Sequence, residues 1–204
     1  EHRFIVAEQM REIDVKPNAI ILEPFGRNTS ASIALAAINV LKENKNAILL
    51  VLASDHLMTC NEDFYKGLEN AISLADKGRL VTFGVTPNSP NTGFGYIESE
   101  QPLNYETLEG CNIRRFIEKP TLEKAESFFL DKRYSWNSGM FAFKASTIIN
   151  EIKKYHPEIY SSCFKAIDSY KDDLDFKRID ERFFSQCPSI SIDFAIMEKQ
   201  KLVQ

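Results

Sequence analysis

The sequence has 204 residues, 44% of them hydrophobic, and its 25 basic and 29 acidic side chains give a net charge of −4. This length predicts one to two domains with a sizeable apolar core, and one compact domain is the simpler interpretation. Because there is no long basic run or arginine-rich stripe, the charge pattern argues against nucleic acid as a partner.

The four cysteines are far apart, form no Cys-x-x-Cys pair and have no histidine at a metal-ligand spacing. They are typical of buried thiols in a reducing compartment. The longest apolar runs have about six residues, whereas a membrane-spanning helix needs about 20. The amino end shows no signal-peptide pattern. We therefore expect a soluble, cytoplasmic protein without a membrane partner, and the sequence leaves its oligomeric state open, with a homo-oligomer among the alternatives.

The first predicted elements are a short strand at residues 20–22 and a helix at residues 29–44. In that helix apolar residues recur at helical spacing, and Asn28 or Thr29 can cap its start. The unbroken apolar run at residues 47–52 follows. Such a run predicts a parallel strand in the middle of a sheet, covered by helices on both faces.

An amphipathic helix is then predicted from Phe64 to Ala75, and Gly78 ends it before a strand at residues 80–83. Further along, the patterns predict strands at 96–98, 113–118 and 140–143, and helices at 122–131, 147–155, 157–170 and 192–199. Strands that alternate with helices predict an α/β fold with a mostly parallel, doubly wound sheet. We expect one domain over residues 1–204, with residues 145–186 as a helical insertion within it.

Asp55 directly follows the predicted central strand. In an open parallel sheet the ligand site lies beyond the carboxyl ends of the strands, which draws attention to Ser54-Asp55-His56. A carboxylate there is a candidate magnesium ligand, because hard cations take carboxylate oxygens and nucleotide phosphates need a cation. Alternatively, Asp55 caps the following helix, and its position alone favours neither hypothesis.

Two other segments lie at strand ends. The glycines of Gly93-Phe94-Gly95-Tyr96 remove side chains where the backbone must turn sharply or approach a ligand. Glu118 could accept hydrogen bonds from sugar hydroxyls, and the adjacent Lys119 could meet a phosphate as a point charge. Turn glycines and surface Glu-Lys pairs are common, so both segments also have purely structural interpretations.

The run from Trp136 to Phe141 contains the only tryptophan, an amide and a glycine, just before an apolar strand. The Asn137 amide can both donate to and accept from vicinal hydroxyls. The structural alternative is a tight turn with a packed indole.

The loop that contains Glu23 joins a predicted strand to a predicted helix. A carboxylate there could accept both the ring N–H and the exocyclic amine of guanine, whereas uracil or thymine would leave one acceptor unpaired. Arg27 could instead brace the loop. Asp193 stands near the start of the last predicted helix, where the helix dipole favours a carboxylate, and this is a sufficient structural explanation for it.

In identity and order, these segments together resemble bacterial mannose-1-phosphate guanylyltransferases of the long, type II kind. The matching runs span nearly the whole chain: residues 2–9, 23–29, 54–56, 93–97, 116–120, 136–141 and 191–199. Glu-Lys-Pro and Gly-Phe-Gly-Tyr fit many sugar nucleotidyltransferases, whereas Gly-Arg-Asn-Thr, Trp-Asn-Ser-Gly-Met-Phe and the Ser-Ile-Asp run are more particular to the mannose enzymes. The resemblance implies a nucleotide-diphosphosugar transferase fold. It also implies a magnesium-dependent reaction in which GTP and mannose 1-phosphate give GDP-mannose and pyrophosphate.

The resemblance further implies a role for each matching position. Asp55 and Asp193 are similar to the metal-binding carboxylates, and Lys119 to the phosphate contact; these three form the expected catalytic set. The mannose contacts correspond to the Gly95 backbone, Glu118 and Asn137. The loop that selects guanine corresponds to Glu23, Gly26, Arg27 and Asn28.

Members of that family begin with a strand and a glycine-rich loop with an arginine, which holds the triphosphate, and no such loop stands in this sequence. We therefore expect these residues to belong to a longer protein and to supply mainly sugar recognition, with a fold truncated at both ends and turnover requiring the longer chain. Two alternatives stay open. One is a non-catalytic sugar-nucleotide-binding subunit or sensor, and the other is a nucleotidyltransferase for another hexose 1-phosphate.

Overall fold

The computed structural model describes residues 2–57, 61–104 and 107–199. The chain divides into two compact units. The first unit comprises residues 1–44 and 149–195, and the second comprises residues 45–148 and 196–204. None of the helices in the described ranges combines the length and the apolar character needed to span a bilayer.

Helices and strands alternate along most of the chain, which confirms the predicted α/β character. The helices are α1 (His2–Glu12), α2 (Asn28–Leu41), α3 (Glu62–Asp76), α4 (Leu122–Leu130), α5 (Ala145–Tyr155), α6 (Pro157–Asp168), α7 (Glu181–Phe184) and α8 (Ile192–Ala195), and a 3-10 turn follows at Met197–Lys199. The strands are β1 (Ile20–Leu22), β2 (Ile48–Val51), β3 (Val81–Val85), β4 (Tyr96–Ser99), β5 (Ile113–Ile117), β6 (Tyr134–Lys144), β7 (Lys171–Asp173) and β8 (Phe176–Arg178).

The first unit is built on α2, which packs against α6. Small and β-branched residues of α2, among them Ala31, Ile33 and Ala34, are buried, and α6 contributes Ile159 and Ala166. A three-stranded sheet of order β1-β8-β7 completes the unit. The apolar stripe of α2 therefore fixes where its amino end, and the loop before it, must lie.

The second unit is built around β6, which pairs antiparallel with β2, β3 and β4. The sheet has the order β2-β6-β4-β5, and β3 lies on the other side of β6. Phe141 and Phe143 of β6 are fully buried, and α3 packs over the β3 and β6 strands. One long strand thus organises this unit.

The prediction of a mostly parallel sheet is not confirmed. Among the strand pairs that the structure describes, only β1 with β8 is parallel. Ala142 of β6 pairs with Leu50 of β2 on one side and Val81 of β3 on the other, so β6 lies between these two strands. In the β2-α3-β3 segment the two strands do run in the same direction, but β6, which comes from far along the chain, lies between them.

The expected central position of residues 47–52 is also not confirmed. Within the described sheet β2 stands at one end of the strand order, and its side chains are only partly covered, with Leu50 37% exposed. An apolar run shows what a strand can bury, but the neighbours come from elsewhere in the chain. Residues 145–186 contain α5, α6, the β7-β8 hairpin and α7.

The predicted buried thiols are confirmed for Cys163 and Cys187, while Cys111 is half-buried. The fourth, Cys60, lies outside the described residues. The tight turn that was the alternative for the run from Trp136 to Phe141 is wrong, since these residues lie within β6.

Candidate functional site

Strand register brings Gly95, Glu118 and Asn137 together in the second unit. Tyr96 of β4 pairs with Ile117 of β5 on one side and with Trp136 of β6 on the other. Because both pairings are antiparallel, Gly95 lies opposite Glu118 on one side and opposite Asn137 on the other. The Asn137 backbone N–H donates a hydrogen bond to the Gly95 carbonyl oxygen over 2.8 Å. The three positions that the family resemblance assigns to the sugar thus lie side by side at three adjacent strands.

The Glu118 carboxylate lies directly over Gly95. A Cβ on Gly95 would stand 2.6 Å from Glu118 Oε2 and 3.6 Å from the Asn137 Cβ. No side chain can therefore occupy this position without moving the carboxylate. Glycine here keeps open the space in which Glu118 sits.

Lys119 follows β5 with an unusual backbone. Its φ is +43°, in the left-handed region that residues other than glycine rarely adopt, and the buried Pro120 comes next. Such a conformation costs on the order of 1–3 kcal/mol, and residues that keep it cluster at active sites and ligand clamps. The side chain of this predicted phosphate contact is exposed. The strained turn and the adjacent proline fix the direction in which the chain leaves the Glu118 position.

Aromatic rings border this group of residues. The Phe94 and Trp136 rings meet edge to face with centroids 4.8 Å apart. In the described part of the chain no hydrogen-bond partner lies near the buried Trp136 Nε1. The indole therefore packs beside the site, as the structural alternative for this segment expected.

Asp55 lies in a turn just after β2, and its side chain is 87% exposed. The alternative that it caps the next helix is wrong, because Asn61 caps α3 by accepting a hydrogen bond from the Phe64 N–H over 3.0 Å. The His56 imidazole lies close to it, with Nε2 4.0 Å from Asp55 Oδ1. This carboxylate is therefore open to solvent and to ligands.

In the first unit, the loop between β1 and α2 holds the residues predicted to select guanine. Glu23 Oε1 accepts a hydrogen bond from the Ser32 hydroxyl over 2.7 Å. Burial raises the pKa of Glu23, and the hydrogen bonds from Ser32 and from the Arg27 backbone N–H partly offset this effect. Both bonds hold the carboxylate at the start of α2.

Gly26 and Asn28 differ in what the local structure requires of them. A Cβ on Gly26 would meet no atom within 4 Å, so local packing does not demand glycine there. Asn28 opens α2 with a φ of +63°, and its Oδ1 accepts a hydrogen bond from the Thr29 N–H over 2.8 Å. Asparagine is one of the few residues that tolerate this conformation.

Arg27 braces the loop, as its alternative interpretation predicted. One guanidinium nitrogen donates to the Ser185 carbonyl oxygen over 2.7 Å, and the group lies 4.8 Å from the centre of the Phe25 ring. Its assignment to guanine selection stays a prediction.

Asp193 is brought to the amino end of α2. The Thr29 hydroxyl oxygen accepts a hydrogen bond from the Ile192 N–H over 2.9 Å, and the Ser30 N–H donates to the Ile190 carbonyl oxygen over 3.3 Å. Asp193 itself lies in the first turn of α8, as expected. Residues from the two ends of the sequence, Glu23 to Asn28 and Asp193, therefore share one region of the first unit.

Residues 1–182 match the family described as "Nucleotidyl transferase", and the chain belongs to this family. Its curated relatives include the mannose-1-phosphate guanylyltransferases of Salmonella montevideo, 48% identical over 98% of this chain, and of Escherichia coli K12, 43% identical over 98%. The chain spans 42% of the length of each of these relatives. The family that the motifs indicated is therefore confirmed.

A solved structure titled mannose-6-phosphate isomerase from Helicobacter pylori is also similar. It is 36% identical in sequence, with a TM-score of 0.82 over 99% of this chain and 77% of that chain. At this identity the two chains are related in sequence as well as in fold.

Proposed function

We propose that the full-length protein transfers a guanylyl group from GTP to mannose 1-phosphate, giving GDP-mannose and pyrophosphate. The observation that carries this proposal is the meeting of Gly95, Glu118 and Asn137 at one sheet edge, in a chain whose curated relatives are mannose-1-phosphate guanylyltransferases. Because GTP is a cytoplasmic metabolite, we also propose the cytoplasm as the place of action.

The three residues suit a sugar. The Glu118 carboxylate accepts hydrogen bonds from hydroxyl groups, and the Asn137 amide offers a donor and an acceptor. Gly95 leaves the space that the Glu118 carboxylate occupies, and its backbone is the third sugar contact that the resemblance assigns. Lys119, next to Glu118 in sequence, carries the positive charge that would attract the sugar's phosphate.

The reaction is an in-line displacement at the α-phosphorus of GTP. A phosphate oxygen of mannose 1-phosphate attacks this phosphorus, a new P–O bond forms, and the bond to the β-phosphate bridging oxygen breaks as pyrophosphate leaves. No protein nucleophile is needed. Lys119 offsets negative charge on the phosphates, and the sugar contacts hold the attacking phosphate in place.

Magnesium is part of the proposal. The exposed Asp55 carboxylate offers the hard oxygen ligands that this cation prefers, and the family resemblance assigns a metal-binding role to Asp193 as well. Within the described ranges no group of three or more side chains is placed to hold a metal unaided, so nucleotide phosphates and water would complete the coordination. When bound, the cation neutralises charge on the phosphates.

Guanine selection is proposed for the loop before α2. With its carboxylate ionised, Glu23 would accept the ring N–H and the exocyclic amine of guanine together. A pyrimidine base offers only one of these donors and would leave a polar group of the site unpaired, which makes rejection strong.

The test measures sugar-nucleotide production by the full-length protein, with magnesium, from every pairing of GTP, UTP and dTTP with several hexose 1-phosphates. We expect GDP-mannose to form fastest. Turnover with UTP or dTTP but none with GTP would contradict the base assignment, and a preference for another hexose would contradict the sugar assignment. Binding of GDP-mannose without turnover would support the sensor alternative, and conversion of mannose 6-phosphate to its ketose isomer would support an isomerase.

A further inference from the structure

The bulge in β6 starts at Asn137. Between β3 and β6, Thr82 pairs with Phe141 and Gly84 pairs with Asn137, so residues 138–140 all lie opposite Phe83. The regular ladder is interrupted there, and Gly139 adopts a φ of +69°. Bulges of this kind redirect a side chain and are frequent beside active sites.

Two hydroxyl groups replace the missing ladder bonds. The Ser138 hydroxyl donates to the Phe83 carbonyl oxygen over 2.6 Å and accepts from the Met140 N–H over 3.1 Å. The Thr82 hydroxyl donates to the Met140 carbonyl oxygen over 3.1 Å. Removing the Ser138 hydroxyl would leave a donor and an acceptor of the backbone unpaired in a partly buried segment.

The bulge fixes the orientation of the Asn137 amide. The Gly139 N–H donates to Asn137 Oδ1 over 3.2 Å, and because a backbone N–H can only donate, the amide oxygen faces Gly139. The Gly139 peptide lies between the two residues that the hydroxyl bonds hold, Ser138 and Met140. The shape of the bulge therefore determines the directions in which the oxygen and the nitrogen of the Asn137 amide point.

We propose that Ser138, assisted by Thr82, is a positioning residue that holds the bulge so that Asn137 presents its amide to the sugar phosphate. Ser138 itself need not touch the substrate. This inference rests on the proposed function, since it assigns Ser138 a role through the sugar contact of Asn137.

The first test compares Ser138→Ala with Ser138→Thr in the full-length protein. We expect Ser138→Ala to raise KM for mannose 1-phosphate about tenfold, the equivalent of about 1.4 kcal/mol, with KM for GTP unchanged. Ser138→Thr keeps the hydroxyl and should restore KM. Ser127→Ala is the matched control, because Ser127 also donates to a carbonyl oxygen, that of Lys124 at 2.7 Å, but lies on the exposed part of α4. A purely structural role would lower the folded fraction, and hence kcat, without moving KM.

The second test is a double-mutant cycle with Asn137→Ala. If Ser138 acts through Asn137, Ser138→Ala should raise KM no further in the Asn137→Ala background. The proposal would be overturned if the two substitutions multiplied each other's effect on KM, or if Ser138→Ala alone left KM unchanged. Should Ser138→Ala fail to fold, Thr82→Val and Thr82→Ser test the other hydroxyl of the bulge, which lies 3.1 Å from the Met140 carbonyl oxygen and 3.4 Å from Asn137 Oδ1. A rise in KM is expected for Thr82→Val only, and an unchanged KM in Thr82→Val overturns the proposal.

The outcomes also separate this inference from the proposed function. If Asn137→Ala raises KM for mannose 1-phosphate and Ser138→Ala does not, only the positioning role is wrong. If Asn137→Ala leaves KM unchanged, Asn137 is not a sugar contact, and the positioning role is overturned together with that part of the proposed function.

Discussion

Replacing Gly95 with alanine should separate sugar recognition from stability. The added Cβ would lie 2.6 Å from Glu118 Oε2, well inside van der Waals contact, so the carboxylate must move. Glu118 is exposed, and its carboxylate is the far end of a flexible side chain, which makes this movement inexpensive. The free energy of unfolding should therefore change by less than about 1 kcal/mol.

The functional cost should be much larger. A hydrogen bond to a charged group contributes about 1.5–3 kcal/mol, and losing those of the displaced Glu118 carboxylate to the sugar corresponds to roughly a 10- to 150-fold rise in KM for mannose 1-phosphate. KM for GTP should stay the same, because the change affects only the proposed sugar contacts.

Gly84→Ala is the matched control in the same unit. Its Cβ would lie 2.3 Å from Ser135 Oγ and 2.8 Å from Ser135 Cβ, and Cβ cannot move without the backbone of β6. We expect this overpacking to destabilise the fold by about 1–3 kcal/mol.

Chemical denaturation and steady-state kinetics of both variants are the assay. The reasoning is refuted if Gly95→Ala destabilises the protein as much as Gly84→Ala does, or if it leaves KM for mannose 1-phosphate unchanged.

Three further predictions concern other parts of the chain. Burial alone would raise the pKa of Glu98, but hydrogen bonds from Arg115 and Tyr134 outweigh burial and lower it. The ionised Glu98 carboxylate should therefore raise the free energy of unfolding. Denaturation between pH 7 and pH 3 should show this contribution complete at neutral pH and lost as pH falls below about 5, and Glu98→Gln should lack it. Asp55→Ala should reduce kcat about 10²- to 10³-fold in the synthesis assay, and a near wild-type rate would exclude a catalytic role. Asn61→Ala, which removes the α3 cap, should cost about 1 kcal/mol in thermal unfolding, with kinetics unchanged.

Helix and strand positions could be predicted where the apolar spacing is regular. The strand at Ile20–Leu22 has the predicted bounds, and α2 and α3 begin and end within three residues of prediction. The helix α1 was not predicted, because its apolar residues Phe4, Ile5 and Val6 are consecutive and exposed rather than spaced along one face.

Strand pairing could not be predicted from local patterns. The insertion of β6 between β2 and β3 depends on contacts between distant residues, and an apolar run carries no sign of which strand will pair with it. The same holds for Gly95, Glu118 and Asn137, which had structural alternatives when considered separately. Only the family resemblance connected them before the register of β4 was known.

Two local sequence signals point to features that regular apolar spacing does not reveal. Gly139 directly precedes the apolar strand pattern at residues 140–143, and a glycine that belongs to a strand often marks a bulge, which points to the neighbouring Ser138 hydroxyl. Asn61 is followed by Glu62 and Asp63, the typical start of a helix, and this points to Asn61 rather than Asp55 as the cap of α3.

The insertion of β6 also sets the order in which the second unit can fold during synthesis. Val51 and Thr82 leave the ribosome long before Phe141, the residue with which both of them pair. Until then β2 and β3 have no common neighbour, and their apolar side chains stay exposed to other chains. Contacts of such long sequence separation slow folding. The central strand is the last part of this sheet to be synthesised, so until residue 144 has emerged the nascent chain exposes apolar surface of the kind that makes folding intermediates prone to aggregate.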